Sequence, residues 1–106
     1  MNLLDETLKC MEDHNKTESD VKFVSSFRLF TDWEHFKLNA NFEYDDGYGC
    51  NEINLNLQIV GDNWWLERHE YDGAEWWEYK EIDSIDMFRI AKPHEVMNMI
   101  KGGTGL

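Results

Sequence analysis

The sequence predicts an α+β fold: an antiparallel meander sheet of about five strands, with an N-terminal and a C-terminal helix. Three observations support it: apolar residues at helical spacing near both ends, strict two-residue alternation in the middle, and an Asp-Gly turn between two aromatic segments. At 106 residues, 42% of them hydrophobic, the chain can build one modest core. We therefore expect a single domain over residues 1–106.

Residues 2–13 have the pattern of an amphipathic helix. Leu4, Leu8 and Met11 recur at helical spacing, and acids occupy the first turn, where they suit the helix dipole. From Val21 the period changes to two, which predicts a strand. The residues expected on one face of that strand are Val21, Phe23, Phe27 and Leu29.

Two further segments, 36–44 and 53–59, alternate strictly between apolar and polar residues. Each predicts a half-buried strand. The intervening segment 45–51 is rich in Gly, Asp and Asn and predicts a turn, and Gly61-Asp62-Asn63 predicts the next one.

The C-terminal end predicts a short helix that begins at Pro93, whose missing N–H costs nothing in a first turn, and that stops at Gly102-Gly103. Its expected apolar face consists of Val96, Met97 and Ile100. The preceding segment 84–91 fits a helix or a strand.

Residues 64–82 predict a β-hairpin that holds four of the five tryptophans. With Asp72-Gly73 as a two-residue turn, Glu67 pairs with Glu78 and His69 with Trp76. One face then carries Trp64, Leu66, Arg68, Trp77 and Tyr79, with Arg68 placed for a cation–π contact with Trp77. The other face carries Trp65, Glu67, His69, Tyr71, Trp76, Glu78 and Ile82. We expect the first face to lie on the core, because it has fewer carboxylates in mid-strand.

The hairpin is also the predicted binding site. Exposed tryptophans invite aggregation, and like charges facing each other across strands cost about 0.2–1 kcal/mol, so folding alone favours neither feature. Tryptophan and tyrosine are frequent interface anchors, and carboxylates steer a basic partner. His69, between Glu67 and Tyr71, could add a pH-sensitive contact. The predicted partner-binding residues are Trp65, Glu67, His69, Tyr71, Asp72, Glu75, Trp76 and Glu78. The structural alternative stays open: aromatic pairs that stabilise a hairpin and acids that keep it soluble.

The net charge of −12 favours a basic protein partner and disfavours direct binding to nucleic acid or to anionic membranes. Residues 45–82 hold ten acids and two bases, or −8. Six acids on the hairpin over about 27 Å give one charge per about 4.5 Å, against about 3.4 Å in a single nucleic-acid strand. These acids are Glu67, Glu70, Asp72, Glu75, Glu78 and Glu81. The oligomeric state stays open.

Several classes of protein are disfavoured by what the sequence lacks. Acids stand where a signal peptide needs bases, and no window reaches the roughly 18 apolar residues of a membrane span, so we expect a cytoplasmic protein. Cys10 and Cys50 fit a reducing compartment better than a disulfide scaffold, although a bridge between them stays open. We expect no metal, no cofactor and no enzymatic activity, because the histidines are scattered and nucleophile and phosphate-loop motifs are absent. Paired carboxylates such as Glu67 and Glu78 leave acid–base catalysis as an alternative.

In size, charge and the interleaving of acids with aromatics over residues 62–81, the chain resembles the small acidic inhibitors of bacteriophages and mobile elements. These include anti-CRISPR proteins that occupy the nucleic-acid channel of their target. The resemblance implies an inhibitor that covers the DNA- or RNA-binding groove of a basic protein with the face of Trp65, Glu67, Tyr71, Trp76 and Glu78. An immunity protein or antitoxin against a basic nuclease toxin, and a structural subunit of a larger assembly, are the alternatives.

Overall fold

The computed structural model describes residues 1–45, 52–83 and 88–102. Within these ranges it has three α-helices: α1 (Leu3–Asp13), α2 (Trp33–Ala40) and α3 (Val96–Ile100). It also has five strands: β1 (Phe23–Ser26), β2 (Leu29–Thr31), β3 (Leu57–Val60), β4 (Trp64–Tyr71) and β5 (Ala74–Glu81). Short 3₁₀ helices lie at Glu18–Asp20 and Pro93–Glu95. The predicted α+β fold is confirmed.

The strands form one antiparallel sheet in the order β2-β1-β3-β4-β5. β1 pairs with β3, β3 with β4, and β4 with β5. β2 pairs with the other side of β1 and lies at the edge of the sheet. The chain therefore returns from β2 to the middle of the sheet through α2. Both outermost strands, β2 and β5, are edges.

The predicted N-terminal helix is confirmed as α1. The side chain of Asn2 accepts a hydrogen bond from the Asp5 amide and caps the helix. Leu3, Thr7 and Met11, at four-residue spacing, are its buried residues. They face β5, so α1 packs on one side of the sheet.

The predicted strand at 36–44 is wrong, because most of that segment belongs to α2. The Asp32 side chain accepts from the His35 amide at 2.8 Å and caps the helix. Trp33, Phe36 and Ala40 then share one buried helical face. Leu38, which the strand pattern counts as inward, is exposed.

The first predicted strand is in fact a hairpin, and its assigned face is wrong. The chain reverses between β1 and β2 at Phe27 and Arg28, with Ser26 paired to Leu29. Phe27 has φ 57°, which ends the extended run. The buried residue of β1 is Val24, whereas Phe27 and Leu29 are exposed.

The predicted strand 53–59 is only half correct, since β3 starts at Leu57. Upstream, the Asn54 side chain accepts from the Asn56 amide at 2.9 Å and the Asn54 carbonyl accepts from the Leu57 amide, which makes a turn. Most of the turn predicted at 45–51 lies outside the described residues. The turn at 61–63 is confirmed, because these residues connect β3 to β4.

The β4–β5 hairpin is confirmed with the predicted register, including the pairs Glu67–Glu78 and His69–Trp76. Asp72 and Gly73 have φ values of 51° and 88°, as a type I′ turn requires. The predicted inward face is also confirmed, because Trp64, Leu66 and Trp77 are buried.

The core lies between this inward face and the two helices α1 and α2. Its buried apolar residues are Leu3, Met11, Val24, Trp33, Phe36, Ala40, Tyr44, Ile53, Ile59, Trp64, Leu66 and Trp77. The residues that the register places on the opposite face of the sheet are at most partly buried. Within the described residues that face is therefore open to solvent.

The C-terminal helical segment begins at Pro93 as predicted, with a 3₁₀ turn followed by α3. Its apolar residues Val96, Met97 and Ile100 are exposed and add nothing to the core. Of the ambiguous segment 84–91, residues 88–91 form neither helix nor strand, and 84–87 are not among the described residues. Gly103 is likewise outside the described residues.

No helix in the described part of the chain has the length and apolar character needed to cross a bilayer.

Candidate functional site

The candidate site is the side of the β4–β5 hairpin that points away from the helices, which we call the hairpin outer face. It consists of Trp65, Glu67, His69, Trp76, Glu78 and Lys80, all partly exposed. At the turn end, Tyr71 and Asp72 are exposed as well. Strand alternation places these side chains together, since residues two apart share a face.

On each strand a tryptophan is tied to a glutamate two residues further along. Trp65 Nε1 donates to Glu67 Oε1 at 2.7 Å, and Trp76 Nε1 donates to Glu78 Oε2 at 3.2 Å. Each indole thus has its polar edge satisfied within the face. The orientation of both rings is fixed before any partner binds, which lowers the entropic cost of binding.

His69 lies between the two glutamates. Its Nε2 is 2.6 Å from Glu67 Oε2, and its Nδ1 is 3.2 Å from Glu78 Oε2. The imidazole also stacks on Trp76, with ring centroids 6.4 Å apart. The contact with Glu67 is a hydrogen bond, whereas the contact with Glu78 is an ion-pair distance. When this ring is protonated, its positive charge offsets the predicted repulsion between Glu67 and Glu78.

The pKa of Glu67 is lowered from its ordinary value of 4.5. The largest cause is the hydrogen bond from Trp65, followed by the one with His69, and both stabilise the charged carboxylate. Glu67 therefore stays ionised into mildly acidic conditions, and the charge of the hairpin outer face persists with it.

Glu75, which the sequence places among the binding residues, is not part of this face. It lies on the inward face and is fully buried, with its Oε1 3.3 Å from Nη2 of the equally buried Arg68. It also accepts from the amides of Glu52 and Ile53 at 2.7 and 3.0 Å. Glu75 thus holds the chain before β3 against the hairpin, and its role is structural.

Arg68 is the centre of this buried network. Its Nη1 donates to Glu6 at 3.1 Å and its Nη2 to the Tyr44 hydroxyl at 2.9 Å, while that hydroxyl donates to Glu6. The guanidinium lies 4.8 Å from the Trp77 ring centroid, so the predicted cation–π pair is confirmed. Burial, with the Glu6 hydrogen bond, raises the pKa of Tyr44 above its ordinary value.

The surface charge of the hairpin is lower than the sequence implies. Glu75 is neutralised inside, and Lys80 Nζ lies 3.5 Å from Glu78 Oε1. Five of the six acids remain at the surface, or one per about 5.4 Å over the same 27 Å. They also point to both sides: Glu67 and Glu78 lie on the outer face, while Glu70 and Glu81 have the inward parity. The charge spacing of the hairpin therefore departs further from that of a single nucleic-acid strand, about 3.4 Å.

The site extends beyond the hairpin in a way the sequence reasoning missed. The register places Phe23, Val60, Trp65 and Lys80 in one row across β1, β3, β4 and β5. Ser25, Gln58, Glu67 and Glu78 form the adjacent row. The sequence signal for these rows is the two-residue alternation in β1. It predicts the outer face correctly only when Val24, and not Phe23, is assigned to the core side.

Other chemistry is sparse in the described part of the chain. No group of three or more His, Cys, Asp or Glu residues there could hold a metal ion. Cys10 is a free thiol, and burial raises its pKa, which disfavours the reactive thiolate. Cys50 lies outside the described residues.

Comparison of the chain with protein-family models, with curated proteins and with solved structures finds no match.

Proposed function

We propose that this protein binds a basic protein through the hairpin outer face and inhibits it by covering its nucleic-acid-binding site. The observation that carries the proposal is the arrangement of Trp65, Glu67, His69, Glu78 and Trp76 on an open sheet face, joined by hydrogen bonds and by an ion-pair contact between His69 and Glu78. Two rings of defined orientation supply apolar contact area, and two carboxylates supply charge. Interfaces use this combination of aromatic anchors and steering charges.

The charge of the whole chain supports a cationic partner. A net charge of −12 raises the rate at which a basic protein is encountered, and this effect weakens with salt. Nucleic-acid-handling proteins carry extended basic surfaces, because they bind phosphates. Covering such a surface blocks the nucleic acid sterically and needs no catalysis.

A structural subunit of a larger assembly is the second candidate, and one observation favours it. The described C-terminal residues include several large apolar side chains without burial, which are Phe88, Ile90, Val96, Met97, Met99 and Ile100. Contiguous exposed apolar surface marks interaction sites. Strong self-association at micromolar concentration would support this candidate over an inhibitor.

The test is capture from a lysate, followed by a functional assay on the captured protein. The wild type and a Glu67→Lys/Glu78→Lys variant serve as baits. A Glu12→Lys/Glu34→Lys variant carries the same charge change on exposed helical positions away from the face. The proposal expects a basic protein retained by the wild type and the helix variant only.

The captured protein is then purified, and its binding to nucleic acid is measured with increasing amounts of this protein. Displacement of the nucleic acid supports the proposed inhibition. Unchanged nucleic-acid binding, or equal retention by all three baits, would contradict it.

A further inference from the structure

The tip of the β1–β2 hairpin is apolar and exposed. Phe27, Leu29 and Phe30 are 76%, 78% and 79% exposed. Arg28 is the only charged residue in the segment 23–31. Phe23 meets Phe30 edge-on, with ring centroids 6.2 Å apart, and the side chains border a shallow concavity of about 450 Å³. The chain thus places three large apolar side chains in water at the end of a hairpin.

The backbone at this tip is strained, because Phe27 has a positive φ angle. Three non-glycine residues in the described chain have positive φ: Asn15, Phe27 and Asp72. Asn and Asp tolerate this region, whereas a bulky aromatic residue there is an outlier. Neither folding nor solubility favours phenylalanine at this position. Strain of this kind is often retained where the side chain has a binding role.

The tip lies within reach of the hairpin outer face. Ser25 lies in one row with Gln58, Glu67 and Glu78, and Phe27 follows Ser25 by two residues. Strands β4 and β5 are two and three strand spacings from β1, or about 10–14 Å. A helix of about ten residues spans about 15 Å, so one helix can contact both places.

We propose that the β1–β2 tip is a second contact point, which packs against the apolar side chains of a cationic amphipathic helix whose basic residues meet Glu67 and Glu78. This proposal rests on the proposed function, because the helix belongs to the same basic partner. Charge selects this occupant over a second copy of the chain. Two copies, each with a net charge of −12, repel one another, whereas a cationic helix is attracted.

The test uses two labelled helical peptides of equal length and lysine content. One carries leucine on its apolar face and the other carries alanine there, so only apolar contact differs. Binding is followed by fluorescence anisotropy at low ionic strength. For the wild type, the leucine peptide is expected to bind about tenfold more tightly than the alanine peptide.

The deciding variant is Phe27→Asn, with Leu38→Asn as the matched control. Leu38 is as exposed as Phe30 but lies on α2. Phe27→Asn should abolish most of the preference for leucine and should also raise Tm by about 4 °C, because Asn relieves the positive φ. Leu38→Asn should keep the preference.

The outcomes separate this proposal from the one it rests on. A wild type without preference for leucine, or a preference that Phe27→Asn keeps, overturns the second contact point while binding of the alanine peptide still supports the charged face. Failure of both peptides to bind contradicts the proposed function itself. Self-association that Phe27→Asn abolishes would assign the tip to a second copy and overturn the proposal.

Discussion

Arg68 and Glu75 form a fully buried ion pair, with Nη2 and Oε1 3.3 Å apart, across two rungs of the β4–β5 hairpin. Glu75 is therefore an acid that serves the fold, whereas the acids at the surface of the hairpin remain available to a partner. Removing Glu75 leaves the buried Arg68 with Glu6 as its remaining carboxylate, and breaking a buried ion pair costs about 3–5 kcal/mol. It also releases the hydrogen bonds that Glu75 accepts from the amides of Glu52 and Ile53.

We therefore expect Glu75→Ala to reduce the free energy of unfolding by about 3 kcal/mol or more. The matched control is Glu78→Ala, which removes a partly exposed carboxylate from the same strand and should cost about 1 kcal/mol or less. Urea denaturation of both variants measures the difference. Equal losses would mean that the buried network does not hold the hairpin.

The tryptophans should divide into two classes. Trp64→Ala and Trp77→Ala remove core side chains and should each cost about 3–5 kcal/mol of stability. Trp65→Ala and Trp76→Ala should cost far less stability, yet each should weaken binding to the partner by about 2 kcal/mol. Denaturation and titration calorimetry test the two halves separately. Comparable unfolding losses in all four variants would place the outer pair in the core.

Gly61 lies against the buried indole of Trp64. A Cβ built on Gly61 would come 2.0 Å from Trp64 Nε1, so the ring would have to move. We expect Gly61→Ala to destabilise the protein by about 1–3 kcal/mol. Gly102→Ala is the control, because nothing lies within 4 Å of the added methyl group. A thermal melt in which both variants match the wild type would contradict this packing.

Glu67 should contribute to the pH dependence of stability in the acid range. Its pKa is lower in the folded state than its ordinary value of 4.5, so its contribution is present above that value and is lost as the pH falls through the folded pKa. The stability difference between wild type and Glu67→Gln should therefore shrink as the solution is acidified from about pH 6 to about pH 3. Trp65→Phe, which removes the main hydrogen-bond donor, should reduce the same pH-dependent contribution. A difference independent of pH would contradict the assigned cause.

Local rules predicted the β4–β5 hairpin well. The Asp72-Gly73 pair favours a type I′ turn, and a two-residue turn fixes every cross-strand pair. The inward face was predicted from its smaller number of mid-strand carboxylates. Glu75 shares that face nonetheless, and its burial is compensated by Arg68 and two backbone amides. The turn rule acts over neighbouring residues, which is why sequence alone sufficed here.

The strand predicted at 36–44 is wrong because a strand pattern and a helix pattern share residues in this segment. Phe36 and Ala40 fit both a strand face and a helix face, and the deciding residues are Trp33 and Leu38. Asp32 was the available signal, since an Asp before an apolar residue is a common helix cap. The count of five strands still held, because the first predicted strand folds into the β1–β2 hairpin.

Most of the buried network around Arg68 could not be predicted from the sequence, for a different reason. The diagonal Arg68–Glu75 pair follows from the predicted register and could have been found from it. Glu6 and Tyr44, by contrast, are 62 and 24 residues from Arg68, and only the tertiary packing of α1 and of the segment after α2 brings them together. Such contacts leave no local pattern, so Glu75 was placed with the surface acids.

Under the proposed function a cation binds at the hairpin outer face, and the indole N–H resonances report on that face directly. The indoles of Trp65 and Trp76 donate to Glu67 and Glu78, whereas that of Trp77 donates to Thr7 in the core. On titration with a lysine-rich helical peptide, the Trp65 and Trp76 signals should shift and the Trp64 and Trp77 signals should stay. The shifts should fade as the Debye length falls from about 30 Å to about 8 Å with added salt. Saturable binding that leaves the Trp65 and Trp76 signals in place would put the cation elsewhere and contradict the account.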